Sequence, residues 1–420
     1  MIQKSLMRTV IQDQLTEIER LDHIVPRDAF DLGLSYNGSS AFIIKGIRRC
    51  GKSTMLKQII NARFWDSFFY FNFDDKRISG FAVEDFQVLM ETFMELFGDM
   101  KNVFFDEIQN VKGWELFINR LLREGYRVFI TGSNSNLLSM EFGTHLTGRH
   151  VDMELYPFSF LEFLSARSID LPRNNYSTQW KATAGKLFYE YYLSGGMPDS
   201  VVSGSNSVLT QLINDIIQKD VMNRHNIRKF PEIRNILRFL MSNVSNEITF
   251  RSISRNLGVK SENTVKKYMD YLQETYIIFE VKRFDRKLKG AGKSPRKVYC
   301  IDNGIILRNV PNLYKNNGAL LENLVAVELK RTGRKFYYYR HDSNTQVDFF
   351  LPLDRELIQV SFELNDQNID REIRGLERAS SEIDANRFLI LTMDPEREIF
   401  RNGLKIEVKP VWRWLMENIH

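Results

Sequence analysis

The sequence predicts an α/β protein whose N-terminal half is a doubly wound, parallel sheet, and three observations carry that prediction. Short β-rich runs alternate with helical stretches from Ala41 to Asp106. A glycine-rich loop, Gly46 to Ser53, separates the first of those runs from the first helical stretch. Two adjacent acids, Asp106 and Glu107, close a later apolar run.

Taken in order, residues 1–35 form a helical segment, and residues 36–165 the sheet domain. Its strands are AFIIK, FFYFNF, NVFFDE, RVFITGS from Arg127 and HVDMELY from His150, each too short and too rich in β-branched or aromatic residues for a helix. Residues 166–230 lack strand signals and contain the break Ser194-Gly195-Gly196-Met197-Pro198, which predicts a helical lid. From 231 to 305 the rhythm is helix-turn-helix: Gly258 ends one helix and Ser261 caps the next. Val265, Tyr268, Met269 and Leu272 fall at helical spacing and predict a buried stripe, with Lys266 and Lys267 outside it. FEVKRF and KVYCID supply two strands of a wing. Residues 306–420 make a further small α/β unit, with a helix over Leu320 to Arg331 and strands FYYYR, VDFFL and ELIQV.

The chain has 420 residues, 43% hydrophobic and 26% charged, a composition for several ordinary cores rather than disorder. No stretch approaches the roughly 20 apolar residues of a membrane helix, so the expectation is a soluble, cytoplasmic protein with no membrane partner. Its two cysteines, Cys50 and Cys300, are expected as thiols, since a disulfide at Cys50 would obstruct the glycine-rich loop. The net charge is +5, but residues 282–297 alone carry eight cations against Asp285. So local an excess suits an anionic partner.

Gly46-Ile47-Arg48-Arg49-Cys50-Gly51-Lys52-Ser53 matches G-x-x-x-x-G-K-[ST], the Walker A pattern of a P-loop, between a strand and a helix as that motif requires. Glycines let backbone N–H groups turn around phosphate oxygens, and the helix N-terminus favours negative charge. The pattern predicts nucleotide contacts from Gly46, Arg48, Arg49, Cys50, Gly51, Lys52, Ser53 and Thr54. Lys52 would bridge the β- and γ-phosphates of ATP, and Ser53 would bind Mg²⁺, with Thr54 next in line if the register is shifted.

Val103-Phe104-Phe105-Asp106-Glu107 has the Walker B form, placing Asp106 on the metal side and Glu107 as the group that aligns or deprotonates water. Thr131, Ser133 and Asn134 follow the next strand, where a polar group can sense the γ-phosphate; Asn134 is carried as the catalytic candidate. Arg149 is a candidate for stabilising transition-state charge, in its own subunit or in a neighbour.

Over nearly its whole length the chain resembles a family of prokaryotic AAA-type ATPases, related to the signal-transduction ATPases, that carry a C-terminal domain of unknown function. The matching pieces are GIRRCGKST, VFFDEIQ, VFITGSN, HLTGRHVDMELYPFSFLEFL, YYLSGGMPDSV, VYCIDNGIILRNV and GALLENLVAVEL. The resemblance implies an AAA core, then a winged helix, then a region similar to PD-(D/E)XK nucleases. That nuclease chemistry needs an acid on a helix, an aspartate on a strand and an acid-x-lysine on the next strand. Glu322, or Glu328, and Asp348 fit the first two. The third reads Gln359-Val360-Ser361, lacking both acid and lysine, with Glu363 and Lys330 as possible stand-ins, so a fold kept for binding is expected over cleavage.

Arg251, Arg255, Lys260, Lys266 and Lys267, with the basic segment, suit the backbone of double-stranded DNA. The function implied is a Mg²⁺-dependent ATPase that moves its winged-helix and nuclease-like regions, on DNA or within a homo-oligomer or protein complex. A nucleotide-switch scaffold is the alternative, and an ATP-dependent nuclease the one after it.

Overall fold

The computed structural model describes residues 2–19, 25–134, 150–169, 177–205, 207–285, 295–342 and 345–417. The chain forms two compact units, one comprising residues up to Tyr156 with Glu274–Tyr276, the other Pro157–Gln273 and the residues from Ile277 onward.

The first unit opens with helices α1 (Lys4–Glu19) and α2 (Phe30–Ser35) and then winds through β1 (Ala41–Lys45), α3 (Lys52–Ile59), β2 (Phe69–Asn72), α4 (Asp85–Phe97), β3 (Asn102–Asp106), α5 (Trp114–Arg123), β4 (Arg127–Gly132) and β5 (His150–Glu154). The five strands are those the sequence predicts, in the order β2-β3-β4-β1-β5, all parallel. Parallel central strands bury both faces, which explains why NVFFD and RVFIT read as unbroken apolar runs. Phe104 and Phe129 stack on one face at 4.7 Å between ring centres. Phe105 and Phe71 point to the other face, into a core with Met7, Val10, Leu89, Phe93 and Ile118 from three helices. Register places Lys45 beside Gly132 and Phe105 beside Ile130, so the loop after β1 and the acids ending β3 emerge at one sheet edge.

The second unit starts with helices α6 (Phe160–Ala166), α7 (Thr178–Ser194), α8 (Pro198–Ser203) and α9 (Ser207–Asp215). Among the described residues this stretch holds no strand, in keeping with the lack of strand signals in its sequence. Next come α10 (Phe230–Ser242), the short β6 (Glu247–Ile248), α11 (Phe250–Leu257) and α12 (Glu262–Glu274). Thr249 and Ser252 form a reciprocal cap at the start of α11, and Gly258 ends it in the left-handed conformation. The predicted stripe of α12 is buried, while Lys266 and Lys267 are exposed.

Strands β7 (Ile278–Lys282) and β8 (Arg296–Cys300) pair antiparallel, with β6 on the far side of β8. Here one expectation is corrected. The basic segment is not uniformly presented to an outside anion: Arg296 is ion-paired to Glu280 at 2.7 Å, and Lys297 is buried. Alternation along β8 turns Lys297 inward, where carboxylates from later elements meet it. Arg286, Lys287, Lys289 and Lys293 lie outside the described residues.

The chain continues through α13 (Asn303–Asn309) and α14 (Asn317–Arg331) to β9 (Tyr337–Arg340), β10 (Gln346–Leu351), β11 (Glu356–Val360), α15 (Ile369–Glu382), β12 (Arg387–Thr392), β13 (Arg397–Arg401), β14 (Leu404–Pro410) and α16 (Val411–Glu417). Six strands form one mixed sheet, β13-β14-β12-β11-β10-β9, parallel at its centre and antiparallel towards both edges. Helix α15 seals one face with Ile373, Leu376 and Ala379.

Candidate functional site

The loop leaving β1 is held open by its backbone. Gly46 has φ of +152°, and a Cβ there would lie 2.2 Å from the Leu155 carbonyl oxygen, so only glycine fits. Arg49 and Gly51 also have positive φ, and α3 begins at once with Lys52. The buried Arg27 guanidinium braces the loop from behind, donating to the carbonyls of Cys50 at 2.8 Å and Tyr156 at 2.7 Å. Cys50 packs into the interior, and burial raises its thiol pKa, which leaves its backbone as the part available to a ligand.

Lys52 is 4% exposed, and its ammonium donates to the Gly46 and Ile47 carbonyls, each at 3.2 Å, with Glu107 at 3.6 Å. Burial pulls its pKa down, but Glu107, Cys50 and Asp106 together hold it above the ordinary lysine value. The ammonium therefore stays charged in a nearly water-free position.

Asp106 is fully buried. It accepts from Thr131 Oγ1 at 2.5 Å, from the Tyr70 hydroxyl at 3.3 Å and from the Ser53 side chain. Burial and then Glu107 raise its pKa, opposed by the Thr131 and Ser53 hydrogen bonds and by Lys52. The Thr131 hydroxyl also accepts from the Glu107 backbone N–H at 2.9 Å, so one β4 side chain fixes both acids. Glu107 takes the left-handed conformation (φ 54°), which turns its carboxylate towards Lys52 rather than along the strand.

Gln109 is a member of this cluster that the residue-by-residue reading did not single out. Its amide nitrogen donates to Glu107 Oε2 and lies 3.4 Å from Ser133 Oγ, while its buried Oε1 has no hydrogen-bond partner among the described residues. The available signal was the run Asp-Glu-Ile-Gln, in which a short 3₁₀ turn at Ile108–Asn110 carries Gln109 back over Glu107.

Of the predicted set, Lys52, Ser53, Asp106, Glu107 and Thr131 converge. Asn134 is buried just beyond β4, and Thr54 is exposed on the first turn of α3. Arg149 lies outside the described residues. Oxygen ligands from a serine and a buried carboxylate, already joined, suit a hard cation such as Mg²⁺.

Residues 38–164 match the AAA domain model, 185–312 a domain of unknown function termed DUF8612, and 317–413 another termed DUF4143. "Uncharacterized protein MJ1544" of Methanocaldococcus jannaschii is 34% identical over 435 residues, covering 98% of this chain and 95% of that protein. The chain belongs to the family of this archaeal protein. A further relative of this AAA-domain protein, from Haemophilus influenzae, is 30% identical over 77% of this chain and 82% of its own length. Among solved structures, the Hsp104–ADP complex of S. cerevisiae matches at a TM-score of 0.33 and 12% identity, over 78% of this chain and 44% of that one, too loose a likeness to argue from.

In the second unit of this AAA-domain protein, Glu322 on α14 and Asp348 on β10 come together, and Glu328 does not join them, pairing instead with Arg331 at 3.0 Å. Lys330 lies over the Phe279 ring. The cation beside the two acids is Lys297 from β8. Gln359 binds Glu372 of α15, which brings a third acid to the same pocket wall.

Proposed function

We propose that this protein binds ATP with Mg²⁺ and hydrolyses it, using Lys52, Ser53, Asp106 and Glu107. The observation that carries this reading is their convergence at one sheet edge, with Lys52 and Glu107 3.6 Å apart and Ser53 bonded to Asp106. Backbone N–H groups of the loop from Gly46 to Ser53 receive the phosphates. Lys52 exchanges the Gly46 and Ile47 carbonyls for phosphate oxygens. Ser53 and Asp106 would hold Mg²⁺, which neutralises charge on the phosphate oxygens when bound. Glu107 orients a water and accepts its proton as the water oxygen bonds to the γ-phosphorus and the bond to the β-γ bridging oxygen breaks, giving ADP and phosphate. Asn134 is the sensor in this scheme and Arg149 the source of transition-state charge.

The output of the cycle is the second unit, in which α10–α12 with β6–β8 act as a winged helix and the six-stranded region as a binding fold. Exposed Arg251, Arg255, Lys260, Lys266 and Lys267 make double-stranded DNA the partner to test. A second reading, a nucleotide switch that turns over slowly, has one observation in its favour: Lys52 and Gln109 both engage the Glu107 carboxylate.

The test is the ATP hydrolysis rate with and without duplex DNA, at low and moderate salt, with Lys52→Ala as blank. Lys52→Ala loses tight ATP binding, whereas Glu107→Gln keeps binding and loses about 10²–10⁴-fold in turnover. Equal hydrolysis by wild type and Glu107→Gln refutes the assignment. ATP binding without Lys52-dependent turnover selects the switch.

A further inference from the structure

The second unit contains an acidic pocket with its own cation. Lys297 is 1% exposed, and its ammonium donates to Glu322 Oε1 at 2.8 Å and Asp348 Oδ1 at 2.9 Å. Fixed groups hold both acids in place around this centre. The Tyr299 hydroxyl donates to Glu322 at 2.7 Å, and the Val360 N–H to the second Asp348 oxygen at 3.0 Å. Gln359 receives the Asp348 N–H and donates to Glu372, whose other oxygen takes Arg371. Glu322, Asp348, Gln359, Val360, Arg371 and Glu372 line an open groove of about 840 Å³, with Lys297 buried behind the two acids.

Two carboxylates converging on one point inside a protein must either take up a proton, towards which burial and Asp348 push Glu322 by raising its pKa to about 7, or stay ionised around a positive charge. A divalent ion with oxygen ligands is one solution, at roughly 2.0–2.6 Å from each oxygen. An ammonium is another, at hydrogen-bond distances, and it is the one present here. No three acidic, histidine or cysteine side chains among the described residues are spaced to hold a metal ion.

We propose that the Lys297 ammonium is the resident cation of this pocket, occupying the position a divalent ion would take between Glu322 and Asp348, so that the pocket binds divalent ions only when that charge is removed. This inference is independent of ATP turnover, because neither pocket nor lysine belongs to the P-loop cluster.

The test is Mn²⁺ titration of the full nucleotide-free chain, read by the paramagnetic signal of the free ion. Wild type and Asp348→Asn give the same isotherm. Lys297→Met gains one site at least about tenfold tighter than any in wild type, and Lys297→Met/Asp348→Asn loses it. Because Lys297→Met leaves buried carboxylates unpaired, its melting temperature falls by roughly 10 °C and is restored by Mn²⁺ only in that single variant. An Asp348-dependent Mn²⁺ site in wild type overturns the proposal, and so does a folded Lys297→Met that gains none. Should Lys297→Met not fold even with Mn²⁺, metal cannot replace the ammonium and the proposal fails.

Discussion

At the scale of single residues, Gln109 offers a way to separate nucleotide binding from the proposed turnover. Its amide N–H group holds Glu107, and its buried carbonyl oxygen, which has no partner among the described residues, lies at the same place. If that oxygen helps align the attacking water, Gln109→Ala lowers kcat about tenfold and leaves the ATP Kd within about twofold, because the phosphate contacts are untouched. Steady-state kinetics beside equilibrium nucleotide binding measure both quantities, and an unchanged kcat removes Gln109 from the mechanism. Sequence made Lys52, Ser53, Asp106 and Glu107 legible because each belongs to a spacing that phosphate chemistry dictates. Lys297 was not legible. Within a basic run it reads as one more solvated charge, and the carboxylates that bury it stand 25 and 51 positions further along the chain. Glu372 was hidden similarly, since it approaches the pocket from a helix rather than from the strand where an acid was sought.

At the scale of elements, periodicity was enough for the five strands of the first sheet and for the buried stripe of α12, because burial on two faces or on one stripe leaves a repeating pattern. Of the last three strands, RFLILT is a continuous apolar run and LKIEVKP alternates, signals the sequence reading passed over, and only the strand between them is weak. Arg397–Arg401 is an edge strand with mostly exposed or half-exposed residues, including Phe400 at 71% exposure, so nothing in its composition marks a buried face. The turn between β1 and α3 depends instead on backbone geometry. Gly46→Ala combines positive φ with a Cβ 2.2 Å from the Leu155 carbonyl oxygen, so β1 or the chain after β5 has to shift. The expected cost is more than about 1 kcal/mol, seen as a lower denaturant midpoint at unchanged slope, together with weaker ATP binding. An Ala variant of wild-type stability and affinity would show that the loop does not need this approach.

At the scale of the whole molecule, the second unit carries a pH dependence of its own. Asp302, before α13, is buried and accepts from the Gly196 N–H at 2.6 Å and the Ile305 N–H at 3.0 Å, tying chain segments 106 residues apart. Burial raises its pKa to about 6, against the hydrogen bonds that lower it. The folded state therefore holds this proton more tightly than the unfolded chain does. The corresponding stabilisation is complete below about pH 4 and is lost as pH rises through about 6, an effect on the order of 2–3 kcal/mol. Asp302→Asn removes the titration while adding a fixed cost, because an amide cannot accept at both positions. The stability difference, wild type minus Asp302→Asn, should thus fall between pH 4 and 6 and stay level above 7. Under the proposed function ATP with Mg²⁺ acts elsewhere: by mass action it would stabilise the unit that binds it, and Lys52→Ala would abolish that gain. Calorimetry of wild type, Asp302→Asn and Lys52→Ala across that pH range, with and without nucleotide, distinguishes the two sources. A nucleotide shift that survives in Lys52→Ala would place the binding outside the P-loop, and a difference between wild type and Asp302→Asn that is flat with pH would remove Asp302 as the titrating group.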